Sequence, residues 1–382
     1  MEASELLEII SRDEDGKHQF KANVTNANAL AAEIVAFSNS GGGRIFVGVA
    51  DNGQIAGLTR QDMGRLNQLL SNSASENVKP PVNPNSENIS LPGGLVMIVT
   101  VKSGISKPYM DNNGAIWVKS GSDKRKVTSR EEMQRLYQSA GLVQGDEIPA
   151  NGITIADLDN DYFRHFFEKE YGETVADQEN PLPVLLENMN LAKDSVMNIA
   201  GALLFAKRPQ FRLPVFIVKA VCYPGTDISE DSYIDSRDIN GKLADVFHKT
   251  LGFIIDNIRH LQGSKTVNTT GEPEIPRIEL EELLTNALIH RDYFISAPVR
   301  VFIFSDKVEI ISPGHLPNNL TIENIKSGNS NIRNPVLASF ATKILPYRGL
   351  GNGVRRALKA YPNITFENDK KGNLFTVTIN RP

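Results

Sequence analysis

Residues 278–293, IELEELLTNALIHRDY, restrict the possible folds of this chain more than any other stretch. Leu280, Leu283, Leu284, Ala287 and Leu288 recur at helical spacing, so they form an apolar stripe that needs a second layer to cover it. Glu282, Asn286 and His290 stand four apart and share one face of that helix. A carboxylate and an amide held side by side can orient a water and offer oxygen ligands to Mg²⁺. A surface helix with polar residues would read the same way, so the motif needs company.

It has company downstream. Residues 299–304 and 307–311 read as a strand hairpin leading into Ser312-Pro313-Gly314-His315-Leu316-Pro317. Arg333-Asn334-Pro335 follows. Then Gly349, Gly351 and Gly353 alternate ahead of a helix carrying Arg355, Arg356 and Lys359. Glycines permit positive φ and close backbone approach. Free N–H groups at a helix start attract phosphate.

Composition narrows the classes. A length of 382 residues suggests two or three domains. Acidic residues (45) outnumber basic ones (41), which argues against a histone-like coat of positive charge but not against a local nucleic-acid patch. The single cysteine, Cys222, excludes a disulfide framework and a cysteine-based zinc site, and it fits a reducing compartment. The opening MEASELLEIISRDEDGKHQF has no secretory apolar core, and the longest apolar run, 95–101, is far short of a membrane span. A cytoplasmic protein without a membrane partner is expected. No Walker A sequence occurs, so a P-loop motor is excluded.

The expected fold class is α+β in three segments: 1–143, a middle α/β segment 150–263, and 275–382, with short polar stretches between them. In the first, helices are expected at 2–10, 28–38 and 61–71, strands at 45–49, 96–101 and 115–118, and a loop at 78–87. Thr128 and Glu131 have capping-box spacing before a further helix. In the middle segment an apolar strand at 215–221 precedes a long amphipathic helix at 241–261. That helix either packs beneath the C-terminal sheet or forms a dimer interface, so a homo-oligomer stays open. Asp235, Arg237 and Asp238 read as a surface charge cluster in a scaffold.

The order of elements in 275–382 resembles the GHKL (Bergerat-fold) ATP-binding family of gyrase B, MutL and histidine kinases. NALIHRDY, EIISPGHLP, IRNP and GLGNG are similar to its divergent branch in RecG-helicase-related transcriptional regulators. The resemblance implies an α/β sandwich that binds ATP and Mg²⁺. It implies that Glu282 is the catalytic general base and Asn286 the Mg²⁺ ligand. Gly314 would form the turn beside adenine, and Gly349, Gly351 and Gly353 the lid over the phosphates. His290 is a candidate for contact with phosphate or Mg²⁺ and Arg333 for contact with phosphate, each set against a purely structural role. Ser312 stands where typical members place an Asp that accepts the adenine amino proton. A neutral partner is roughly half as strong as a charged one, which loosens base selectivity.

The N-terminal segment resembles the Schlafen/AlbA-type nucleic-acid-binding domain through Phe20-Lys21, Ala36-Phe37-Ser38-Asn39, Gly41-Gly42, Gly48-Val49, Asp51, Gly53, Gly57-Leu58 and Trp117–Ser122. Acids and bases balance over 1–140, yet Lys119, Lys124, Arg125, Lys126 and Arg130 face only Asp123 within 119–130. Such a run supplies a few phosphate contacts or is a solvated loop; Lys21 and Arg44 extend the patch. Some Schlafen-type domains cleave RNA with paired carboxylates and a metal. Gln19 replaces the Glu of that pattern, leaving Glu14 and Asp51, so a binder is expected and not a nuclease. The combined expectation is an ATP-binding regulator coupled to a DNA- or RNA-binding module. A weak ATPase or nuclease in nucleic-acid defence, and a scaffold with a degenerate nucleotide site, are the alternatives.

Overall fold

Apolar residues on alternate positions of two neighbouring strands organise the first part of the chain. A computed structural model describes residues 2–228, 232–262, 271–317, 320–347, 349 and 351–382. It resolves two units, Met1–Val143 and Gln144–Pro382.

The first unit runs α1 (Ala3–Ile10), β1 (His18–Lys21), α2 (Ala27–Asn39), β2 (Gly43–Val47), α3 (Arg60–Glu76), β3 (Asn85–Leu91) and β4 (Gly94–Val101). A hairpin of β5 (Trp117–Ser120) and β6 (Asp123–Lys126) and helix α4 (Arg130–Ser139) follow. The main sheet has the order β1-β2-β4-β3, parallel only between β1 and β2. The two-residue period buries both of its faces. Phe46, Val96 and Ile98 pack with Leu6 and Ile10 of α1. Ile45, Val47, Met97 and Val99 pack with α2 and α3 on the other side.

Two details differ from the sequence reading. The N-cap of α4 is Ser129, whose side chain accepts from the Glu132 N–H, and not Thr128. The expected loop at 78–87 runs into β3, which pairs with β4 through Leu91–Gly94.

The second unit contains α5 (Asn160–Tyr171), α6 (Ile199–Phe205), β7 (Val218–Cys222), β8 (Asp235–Ile239), α7 (Leu243–Asn257) and α8 (Arg277–Ile289). After these come β9 (Val299–Ile303), β10 (Lys307–Pro313), α9 (Pro335–Ile344), α10 (Gly353–Ala360), β11 (Ile364–Asp369) and β12 (Leu374–Asn380). One six-stranded sheet has the order β8-β7-β9-β10-β12-β11. Strands β7 and β9 are parallel, with Val218 opposite Val299; the other pairs are antiparallel. Strands from the middle segment thus extend the sheet of the C-terminal segment. The charged residues Asp235, Arg237 and Asp238 lie on its edge strand β8, where charge blocks further strand pairing. Helix α7 packs on α8 and on β7 and β8. Both units mix helices and sheets, as the α+β class requires. No helix among the described residues is long and apolar enough to cross a membrane.

Candidate functional site

Strand β10 turns Val308, Ile310 and Ser312 toward its buried face. The leucine stripe of α8 is buried as well, and the Ser312 hydroxyl donates to the Ala287 carbonyl at 2.9 Å. Helix and strand are thereby fixed at one point. The polar face of α8 then borders a cavity of about 350 Å³. Glu282, Asn286 and His290 line it from α8, Ser312 and Gly314 from the end of β10, and Gly349, Gly351 and Gly353 from the turn into α10. Phe366 and Phe375, stacked with centroids 6.1 Å apart, add an aromatic wall.

Arg333 is the one nucleotide candidate that does not line this cavity. Its Nη2 donates to the His315 carbonyl at 2.6 Å and its Nη1 reaches the His290 carbonyl at 3.5 Å. It packs under Gly314, whose φ of +104° requires glycine; a β-carbon there would collide with the Arg333 guanidinium. Burial lowers the Arg333 pKa, with Asp292 opposing. The neighbouring Asn334 is fully buried and donates to the Ile289 and Arg291 carbonyls at 2.7 and 2.8 Å, closing the C-terminal end of α8. The RNP triplet therefore clamps helix to turn.

His290 Nε2 lies 3.3 Å from the Tyr347 hydroxyl. Loss of solvation, with the Arg333 cation adding to it, lowers its pKa to about 4, so it is neutral at pH 7. The Asn286 amide nitrogen donates to Glu282 twice, to the main-chain oxygen at 2.9 Å and to Oε1 at 3.0 Å. That leaves Oδ1 as the acceptor of Asn286. The other Glu282 oxygen, Oε2, meets Arg356 Nη2 of α10 at 3.3 Å. Sequence reasoning placed Arg356 on a helix but gave it no role. Its spacing of three from Gly353, one turn along the same helix, was the available signal.

The nucleic-acid candidates are largely paired within their own unit. Lys124 meets Glu33 at 2.6 Å, and Arg125 meets Glu132 with both guanidinium nitrogens. Lys119 donates to Gln19 Oε1 at 2.7 Å and to the Ser122 carbonyl; burial lowers its pKa, against Glu33 and Glu14. Gln19 in turn donates to Glu14. Lys21 lies 3.9 Å from Asp51, and Arg44 3.6 Å from Glu5. Lys126, in the field of Asp111, and Arg130 remain exposed. The local positive excess of 119–130 is therefore offset by Glu33, a residue distant in sequence, and by Glu132.

Comparison with known proteins matches residues 14–128 to the family described as "Schlafen, AlbA_2". Residues 296–379 match the family described as "Putative ATP-dependent DNA helicase recG C-terminal". The second match contains Ser312, Gly314 and the glycine turn but stops short of α8 with Glu282 and Asn286. No curated protein matches. The crystal structure of the DIP2311 protein from Corynebacterium diphtheriae is similar at 21% identity, over 99% of this chain and 80% of that one, with a TM-score of 0.47. The solution structure of the N-terminal domain of a RecG-related protein from Nitrosomonas europaea is 18% identical over 34% of this chain and 96% of its own, with a TM-score of 0.24. The chain joins an N-terminal Schlafen/AlbA_2 domain to a RecG C-terminal domain, a domain content that supports a nucleic-acid-related, ATP-binding protein.

Proposed function

We propose that the second unit binds ATP with Mg²⁺ in a GHKL-like site and that this site regulates nucleic-acid binding by the first, in a cytoplasmic transcriptional regulator. One observation carries the nucleotide reading. Three motifs far apart in sequence, Glu282/Asn286, Ser312/Gly314 and the 349–353 glycines, line one cavity of about 350 Å³, within the range of small-ligand sites. Phe366 and Phe375 offer a flat apolar surface to a base. The Ser312 proton is committed to Ala287, so its oxygen is left to accept an exocyclic amine.

Asn286 Oδ1 is a hard oxygen donor suited to Mg²⁺. One donor makes no protein cage, and no cluster of three His, Cys, Asp or Glu occurs among the described residues. This donor set fits a Mg²⁺ that takes its other ligands from phosphates and water. When bound, the ion would neutralise phosphate charge. Gly349 and Gly351, at φ of +65° and +70°, line the cavity with main chain, the kind of surface whose N–H groups receive phosphate. Within the 119–130 run, Lys126 and Arg130 are the exposed cations left to meet a nucleic-acid backbone.

Thermal melting with ATP, ADP and GTP, each with Mg²⁺, tests the reading. At a ligand concentration of 100 Kd the site adds about 2.7 kcal/mol. No shift with any nucleotide would leave the scaffold alternative. Slow hydrolysis is a second reading, favoured by the position of the Glu282 carboxylate on the cavity wall. It requires turnover that Glu282→Ala abolishes while nucleotide binding survives.

A further inference from the structure

Among the described residues that line the cavity, Arg356 is the sole lysine or arginine and Glu282 the sole carboxylate. They pair with each other through one contact of 3.3 Å. The Arg356 side chain is 57% exposed while that of Glu282 is 13% exposed. The carboxylate is held in place from its other side by Asn286. Among the described residues the guanidinium meets no second partner and keeps N–H donors free. The pairing is therefore asymmetric: a fixed anion holds a cation that can leave it.

We propose that Arg356 distinguishes a nucleoside triphosphate from a diphosphate by exchanging Glu282 for the terminal phosphate. This rests on the nucleotide reading above and adds to it the residue that senses phosphate number. A polyanion entering the cavity meets one cation among these residues, because the Arg333 fork is spent on carbonyls. A planar guanidinium matches a phosphate with two parallel N–H···O bonds. Its half-exposed pair with Glu282 has one long contact and is weak by comparison. Arg356 is on α10, whose first residue Gly353 abuts the Glu282 carboxylate. The exchange would thus move the ion pair that ties α10 to α8 and report the terminal phosphate to the fold.

The test is equilibrium titration of the full chain with Mg·ATP and Mg·ADP, comparing wild type, Arg356→Gln, Arg356→Lys and Glu282→Gln. Circular dichroism establishes that each variant is folded. Wild type should favour ATP by about tenfold or more, the worth of one charge-assisted contact. Arg356→Gln should bring the two affinities within about twofold by weakening ATP alone, and Arg356→Lys should restore part of the difference, because a point charge replaces a fork. Glu282→Gln should tighten ATP by removing the competitor and leave ADP unchanged. A wild type without preference, or an Arg356→Gln that keeps it, overturns the role of Arg356 while the site stands. Failure of wild type to bind either nucleotide overturns the site as well.

Discussion

Gly353 abuts the Glu282 side chain so closely that a β-carbon on it would overlap the carboxylate. Its neighbours Gly349 and Gly351 need glycine for positive φ; Gly353 needs it for space. The clashing atoms are the far end of a flexible side chain, so Gly353→Ala should displace the Glu282 carboxylate from Arg356 and destabilise the second unit by about 1 kcal/mol or less. Adding Glu282→Ala should recover most of the loss. Chemical denaturation of the two single variants and the double variant gives the coupling. Additive losses would mean that the two residues do not meet.

His290 and Asp146 give opposite pH dependences within the same unit. His290 titrates near 4 when folded and near 6.5 when unfolded. Its contribution is present above pH 6.5 and lost as pH falls toward 4, by up to about 3 kcal/mol. Asp146 is fully buried, and burial raises its pKa to about 6. Its contribution is present below pH 3.8 and lost as pH rises through 6. Between pH 4 and 6 the two slopes oppose each other. Asp146→Asn, which keeps an acceptor for the Leu337 N–H, should steepen the acid loss, and His290→Gln should reverse its sign. Unfolding free energy measured from pH 4 to 7 reads both; parallel curves for all three proteins would refute both assignments.

Lys124 answers to Glu33 before it answers to any nucleic acid. Glu33 is buried, so Lys124→Ala should cost roughly 3 kcal/mol by stranding its charge. Adding Glu33→Gln should return most of that stability. By contrast, Lys126→Ala with Arg130→Ala should leave the melting point nearly unchanged and lower the slope of log affinity against log salt by about 2. An unchanged slope would return these exposed cations to a solvated loop.

Much of the fold is legible in the sequence because burial follows period. Apolar stripes marked α2, α8, β4 and β10, and glycines marked the turns around them. Strand β3 was hidden because residues 85–88 are exposed on both faces and show no alternation. Strand β8 was hidden because an edge strand carries charge for reasons unrelated to a site. In the cavity, the residues of α8 and the glycine turn were legible from spacing. Arg333 was not, because a fork that binds carbonyls and one that binds phosphate look alike in sequence. The pairings Lys124–Glu33 and Arg356–Glu282 span 91 and 74 residues, and no local pattern encodes them.

Photolabelling with 8-azido-ATP and Mg²⁺, followed by peptide mapping of the full chain, locates the nucleotide directly. Label confined to peptides spanning residues 310–317, 364–377 or 282–290, and displaced by excess ATP, is the expected result. Displaceable label confined to the first unit, or no displaceable label, would contradict a nucleotide site between α8 and the glycine turn.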